Sequence, residues 1–163
     1  MKGQESQDAL WKAIKNGMID TVATDHCPFQ SYEKDWGKDD FTKIPNGCPG
    51  VENLYPYMLD AANSGKRAVE LCSTNVAKIF GCDNKGSISV GKDADIVIYD
   101  KDKDFTISVD NMHSDLDHTI WEGKQLHGYP IRTYLRGNVV YDNGDFVGTP
   151  GLGEYVKRIP RKH

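Results

Sequence analysis

The sequence lacks several features that define particular classes of protein. No apolar run approaches the roughly 20 residues that cross a bilayer, and the first residues lack the apolar core of a signal peptide. The 4 cysteines form no C-x-x-C pair and are too sparse for a disulfide scaffold. The formal net charge of −4 gives no reason to expect binding to nucleic acid or to a membrane. We therefore expect a cytoplasmic protein with reduced thiols.

The length limits the fold. A chain of 163 residues, 38% of them hydrophobic, is long enough for one domain or slightly more. A complete (β/α)8 barrel needs about 250 residues. We therefore expect no complete barrel in this chain.

The most informative segment is a short apolar stretch that leads into an acidic residue and a histidine. Residues 19–23 are rich in β-branched side chains, which predicts a buried strand, and Asp25 and His26 follow it closely. Pro28 then ends regular structure. Polar groups at the carboxyl end of a buried strand are typical of active sites in α/β barrels and open α/β sheets.

Helices are predicted on both sides of this segment. Apolar residues at helical spacing predict one helix over residues 6–16, with Ser6 as its N-cap. Two more helices are predicted over residues 51–63 and 66–80, the second ending at Gly81.

The segment between these helices, residues 26–50, is a polar loop that contains several glycines and prolines. Structureless loops of this length are commonly functional. Because it begins beside Asp25, we expect it to cover that residue. The alternative is a tolerated surface insertion.

From residue 83 the sequence changes to a period-two, turn-rich pattern that predicts β-structure. Asn143-Gly144 is a strong hairpin signal. The expected fold class is therefore α/β followed by β, although a single strand in the first half cannot build a sheet alone. Strands are predicted over residues 87–90, 94–99, 105–109, 131–135, 139–141 and 145–147.

Seven segments of the sequence carry a resemblance to a known family: residues 24–29, 37–47, 50–52, 73–80, 85–88, 91–98 and 146–148. Together they resemble the dihydropyrimidinase/D-hydantoinase family of amidohydrolases. The resemblance implies the carboxyl-terminal fragment of a metal-dependent (β/α)8 barrel and the carboxyl-terminal part of a small β-sandwich domain. The implied division is a barrel part over residues 1–82, a sandwich part over 83–147 and a tail over 148–163. The tail is expected to contact another subunit, which implies a homo-oligomer.

The resemblance also implies a reaction. Members of this family hydrolyse dihydropyrimidines or 5-substituted hydantoins to N-carbamoyl amino acids at a binuclear zinc centre. A water that bridges two metals has its pKa lowered from roughly 15.7 toward about 7. A carboxylate beside that water can carry its proton to the leaving nitrogen. The matching residue here is Asp25, implied to be both catalytic and a metal ligand.

Substrate binding is implied for Asn46, whose backbone would hold the cyclic amide edge, while Gly47 beside it permits close approach. The alternative is that Asn46-Gly47 is only a turn. His26 is not expected to bind a metal together with Asp25, because successive strand side chains point to opposite faces. It is expected either to hold a metal ligand in place or to stabilise the loop.

The family's other ligands, a His-x-His pair, a carboxylated lysine and two further histidines, cannot be placed in this sequence. We therefore expect the chain alone to be inactive and not to retain zinc. Two alternative functions remain, a non-catalytic adaptor related to the family and an interaction module that docks through its unpaired strand. The histidines other than His26 lie in the β-rich half or the tail: His113, His118, His127 and His163.

Overall fold

A computed structural model describes residues 3–159. It is a small α/β structure with a four-stranded antiparallel sheet in the order β1-β2-β3-β4. None of the helices among these residues has the length and apolar character of a membrane span. The helices are α1 Gln4–Lys15, α2 Ser31–Lys34, α3 Leu54–Ala61, α4 Gly65–Val69 and α5 Asn75–Phe80, and the strands are β1 Ile96–Thr106, β2 Gln125–Leu135, β3 Asn138–Asp142 and β4 Asp145–Phe146.

The first predicted helix is confirmed as α1, but Ser6 is not its N-cap. The chain enters at Gly3, whose extended backbone lets its carbonyl accept the amide of Gln7, so Ser6 lies within the first turn. Glu5 in that turn suits the positive end of the helix dipole. The amphipathic spacing buries Ile14 against the core.

The two predicted helices after the loop are also confirmed. A 3₁₀ turn, Val51–Asn53, leads into α3. α4 and α5 are joined by a π-helical turn, Glu70–Thr74, and Gly81 ends the run in the left-handed conformation that glycine favours (φ 68°). These helices and α1 form one apolar core, with Ile14, Met58, Ala68 and Leu71 buried at its centre.

The predicted strand over residues 19–23 is wrong for this chain. Within the described range the segment pairs with no other strand, and its hydrogen bonds go to the helices. The amide of Val22 donates to the carbonyl of Leu71 at 3.3 Å, and the Asn75 side chain donates to the carbonyl of Asp20 at 2.9 Å. The residue types favour extended backbone, but a strand needs a neighbour to form a ladder.

The β-rich half differs from expectation in three places. β2 begins at Gln125, six residues before the strand predicted over 131–135. The strands predicted over 94–99 and 105–109 are one strand, β1, because register shifts at Ile98/Tyr99 and between Asp100 and Asp104 absorb the charged residues within the pairing with β2. Residues 87–90 form no strand. The β3–β4 hairpin is confirmed, with Asn143 at φ 51° and Gly144 at φ 114°.

Part of the tail folds back on its own chain. The amide of Ile159 donates to the carbonyl of Gly81 at 2.9 Å, and the Arg136 guanidinium contacts the carbonyl of Leu152 and the carboxylate of Glu154. The rest of the tail, residues 160–163, lies outside the described residues.

Candidate active site

Asp25 lies at the corner between the irregular segment and the long loop. Its side chain is exposed, and within residues 3–159 it has no hydrogen-bond partner. Its backbone is left-handed (φ 49°), a conformation that aspartate tolerates better than most residues. Such backbone conformations cluster at functional sites. The loop therefore does not cover Asp25 as the sequence predicts, and the carboxylate is open to a ligand.

His26, the next residue, faces the loop. Its Nδ1 lies 3.1 Å from the amide nitrogen of Gly50 and 3.3 Å from that of Val51. Because amides only donate, Nδ1 accepts, and in the neutral ring the hydrogen is on Nε2. This agrees with the loop-stabilising role, one of the two expected for His26.

The long loop returns to the same corner. The amide of Cys27 donates to the carbonyl of Cys48 at 3.2 Å, within a parallel bridge between His26 and Cys48. Gly47 packs so closely that a Cβ there would lie 2.3 Å from the carbonyl oxygen of Cys27. Asp25 and Asn46 each lie within two residues of this bridge, so the fold brings the two predicted site residues to one corner.

The loop is not structureless. It contains α2 and two 3₁₀ turns, and the second begins where the Asp40 carboxylate accepts the amide of Thr42. Hydrogen bonds also attach the loop to the second half of the chain. Gln30 donates through Nε2 to the carbonyl of Asp115 at 2.7 Å, and the amide of Ser31 donates to the carboxylate of Asp117 at 3.0 Å.

These contacts also affect the charge of Asp117. Hydrogen bonds from the imidazole of His118 and from the amide of Ser31 hold the pKa of Asp117 below its usual value. The carboxylate therefore stays ionised while it holds the loop.

One contact in the loop was missed by sequence reasoning. The Nζ of Lys34 donates to the carbonyl of Pro45 at 2.6 Å and to the carbonyl of Gly47 at 2.7 Å, on either side of Asn46. No periodicity or motif signals this pairing, since it joins two irregular parts of one loop.

The described residues do not fit a binuclear metal centre by themselves. In residues 3–159 no group of three or more His, Cys, Asp or Glu side chains could hold a metal ion. Three histidines are paired with acids instead: His113 with Glu52, His118 with Asp117, and His127 with Asp104. His163 lies outside the described residues.

Known proteins resemble this chain along almost its entire length. The family model "Amidohydrolase family" matches residues 1–140. A D-hydantoinase from Ralstonia pickettii is 40% identical over 96% of this chain and 36% of its own length. A dihydropyrimidinase from Rattus norvegicus is 44% identical over 93% of this chain and 30% of its own length.

Solved structures agree with the sequence comparison. The dihydropyrimidinase from Brevibacillus agri superimposes with a TM-score of 0.94 at 44% identity, covering 97% of this chain and 36% of that one. The chain thus spans about a third of the length of the relatives it matches. The chain belongs to the amidohydrolase family, in which it is similar to the D-hydantoinases and dihydropyrimidinases.

Proposed function

We propose that this chain is the carboxyl-terminal part of a metal-dependent cyclic amidase, which hydrolyses dihydropyrimidines or 5-substituted hydantoins to N-carbamoyl amino acids. One observation carries the proposal. The exposed Asp25 carboxylate lies at the corner where the loop bearing Asn46 returns to the chain. The similarity to D-hydantoinases and dihydropyrimidinases supports the substrate class.

In this proposal residues 19–23, which pair with no strand in residues 3–159, become the last strand of a (β/α)8 barrel when neighbouring barrel strands are present, within a barrel part over residues 1–82. The sheet belongs to a β-sandwich part over residues 83–147. Two observations support the barrel assignment. Ile19 and Val22 pack against the helical core, and backbone groups of Asp20 and Val22 are hydrogen-bonded to the helical segments that follow the loop. A barrel strand between two neighbours has this kind of apolar packing against its helices.

The proposed roles follow from the chemistry of an unstrained amide. Asp25 accepts the proton of the attacking water and passes it to the ring nitrogen as the C–N bond breaks and the C–O bond forms. Asn46 holds the amide edge of the ring through its backbone. Zinc is the metal we expect in the whole enzyme, and we assign none of its binding to the described residues beyond Asp25.

A chimera tests the proposed reaction. This chain replaces the corresponding third of the Ralstonia pickettii D-hydantoinase, and hydantoin hydrolysis is measured. We expect activity, and a loss of about 10²–10⁴-fold with Asp25→Asn, the range of general acid–base catalysis. Asp20→Asn is the matched control, an exposed acid of the same segment whose backbone carbonyl, rather than its side chain, is bonded to Asn75. The proposal is contradicted by an inactive chimera, or by an Asp25→Asn variant that is as active as the chimera with the native Asp25.

The isolated chain gives a second test. We expect the purified chain neither to bind zinc stoichiometrically nor to hydrolyse dihydrouracil, because one carboxylate cannot hold a binuclear centre. Metal analysis and a turnover assay measure both. Stoichiometric zinc together with turnover would falsify the fragment part of the proposal.

A second candidate function is a non-catalytic adaptor or an interaction module that docks through residues 19–23. The observation that favours it is the absence of any partner strand for this segment within residues 3–159. Light scattering with and without a full-length relative separates the two functions, because only a docking module forms a stable complex. We also propose a cytoplasmic homo-oligomer, with the tail over 148–163 in the subunit contact.

A further inference from the structure

Lys34 holds the loop on both sides of Asn46. Its half-buried ammonium lies 2.6 Å from the carbonyl oxygen of Pro45 and 2.7 Å from that of Gly47. Distances this short are typical of charge-assisted hydrogen bonds, which are roughly twice as strong as neutral ones. The two carbonyls that flank Asn46 are therefore turned to the same cation.

Lys34 is itself held in place. It is the last residue of α2, whose first turn is closed by reciprocal hydrogen bonds between Gln30 and Glu33. The amide of Ser31 donates to Asp117, which fixes α2 against the second half of the chain. The Nζ of Lys34 also lies 4.9 Å from the centre of the Phe29 ring, within the range of a cation–π contact. These contacts hold the ammonium group of Lys34 in one position relative to the loop.

Asn46 differs from its two neighbours. It is exposed and makes no hydrogen bond with residues 3–159. Pro45 is held by Lys34, and Gly47 is held both by Lys34 and by its close packing on Cys27. The flanking carbonyls are engaged by Lys34, whereas the amide and carbonyl of Asn46 are hydrogen-bonded to no residue of the range 3–159 and remain open to a ligand.

The other lysines of the loop do not share this arrangement. Lys38 pairs with Asp35 at 2.7 Å and Lys43 with Asp40 at 3.5 Å, and each lysine side chain is 69% exposed. Surface pairs of this kind contribute little to order or stability. Lys34 is therefore distinguished by position and partners, not by charge alone.

We propose that Lys34 is a positioning residue, which fixes the backbone of Asn46 so that its peptide groups can pair with the amide edge of a cyclic ureide. This inference rests on the function proposed above. Lys34 does not touch the reacting atoms; it acts through the loop. An ammonium is suited to this role because it can donate to two carbonyls that converge from different parts of a turn.

The first test uses NMR to measure the hydrogen bonding and the order of the loop in the isolated chain. Lys34→Met keeps a long apolar side chain and removes the donors, Lys34→Arg keeps them, and Lys38→Met is the matched control. In Lys34→Met we expect the ¹³C carbonyl resonances of residues 45 and 47 to shift, and the order parameters of residues 46 and 47 to fall from about 0.85 to below about 0.6. Arginine should restore both signals, and the control should leave them unchanged. Unchanged carbonyl shifts in Lys34→Met overturn the proposal.

The second test measures KM and kcat for hydantoin in the hydantoinase chimera. We expect Lys34→Met to raise KM for hydantoin about tenfold with a smaller change in kcat, because it weakens ground-state binding, and Lys34→Arg to restore KM. A KM that stays the same in Lys34→Met while the loop signals change also overturns the positioning role. If the chimera with native Lys34 is inactive, the proposed reaction fails, and the NMR signals still decide whether Lys34 orders the loop.

Discussion

The Nδ1 atom of His26 lies 3.1 Å from the amide nitrogen of Gly50. Through this contact the imidazole closes the loop of residues 26–50, while the carboxylate of Asp25, one residue earlier, stays exposed. Two adjacent polar residues therefore have separate tasks. His26 orders the backbone, and Asp25 is left to meet a ligand.

This contact predicts a difference between two substitutions of His26. His26→Ala removes the acceptor of the Gly50 and Val51 amides, and we expect a loss of about 1 kcal/mol in the free energy of unfolding. His26→Asn places a side-chain oxygen near the position of Nδ1 and should cost less than half as much. Urea denaturation measures both. Equal losses for the two variants contradict an acceptor role for Nδ1.

Gly128 and Gly137 have similar left-handed backbones but differ in the space around them. Alanine substitutions at the two positions therefore measure the cost of a close contact. Both have positive φ, 85° and 80°. A Cβ on Gly128 would lie 2.4 Å from the Tyr99 ring, whereas one on Gly137 meets nothing within 4 Å. We expect Gly137→Ala to cost about 1 kcal/mol for its left-handed backbone, and Gly128→Ala to cost about 3 kcal/mol because of the added clash. Thermal denaturation of the two variants in parallel checks this, and similar losses would mean that the Tyr99 ring moves aside freely.

Arg67 joins three parts of the helical half. Its guanidinium donates to the carbonyl of Ile14 at 2.9 Å, to the carbonyl of Ile19, and to the carboxylate of Glu70 at 3.0 Å. We expect Arg67→Met to lower the free energy of unfolding by about 2 kcal/mol, because charged hydrogen bonds in a half-buried position are lost.

The neighbouring lysine is the control for Arg67. The side chain of Lys66 is 88% exposed and lies 4.0 Å from the Glu70 carboxylate. Lys66→Met should change the free energy of unfolding by less than about 0.5 kcal/mol. If both variants are equally stable in urea, Arg67 does not join α1 to α4 as described.

His113 predicts a dependence of stability on pH. Its Nδ1 lies 2.7 Å from the Glu52 carboxylate and its Nε2 lies 2.9 Å from the carbonyl of Gly144. The hydrogen bond to Glu52, with smaller contributions from Gly144 and from the charge of Asp145, raises the pKa of His113 despite partial desolvation. Because the folded-state pKa is raised, the stabilisation is complete below the ordinary value of about 6.5 and is lost as pH rises through the higher value.

We therefore expect the wild-type chain to be more stable than Glu52→Gln near pH 6, and the difference in Tm to shrink by about pH 9. The ring of Tyr141 is edge-on to the imidazole of His113, with 5.7 Å between the two ring centroids, and it is present in both the wild type and Glu52→Gln. Asp104→Asn is the control, since the Asp104–His127 pair is more than four-fifths exposed, and its Tm difference should stay near zero. A difference between wild type and Glu52→Gln that grows with pH contradicts the assignment.

Parts of the fold with local causes could be predicted from the sequence. α1 follows from apolar residues at helical spacing, and its N-cap was misplaced by three residues because Gly3 can also take the extended entry conformation. The turn at Asn143-Gly144 follows from two residues that tolerate positive φ. The prediction of Asp25 and Asn46 as site residues came from the family motif, and their roles stay predictions.

Other features could not be predicted, because they depend on contacts between distant segments. Residues 19–23 have the composition of a strand, yet whether they form one depends on a neighbouring strand. The pair of His113 and Glu52 joins residues 61 positions apart, and no local pattern indicates it.

The sequence by itself determined the three helical segments outside the long loop, the turn at Asn143-Gly144 and the family that the chain resembles, because these depend on side-chain spacing, backbone preferences and motif identity. Only the tertiary structure decided that His26 accepts from Gly50, that Lys34 joins the two sides of Asn46, and that β1 continues through its charged residues. The reason is physical: a hydrogen bond requires two groups to meet at about 3 Å, and in irregular segments that meeting is set by the packing of the whole chain.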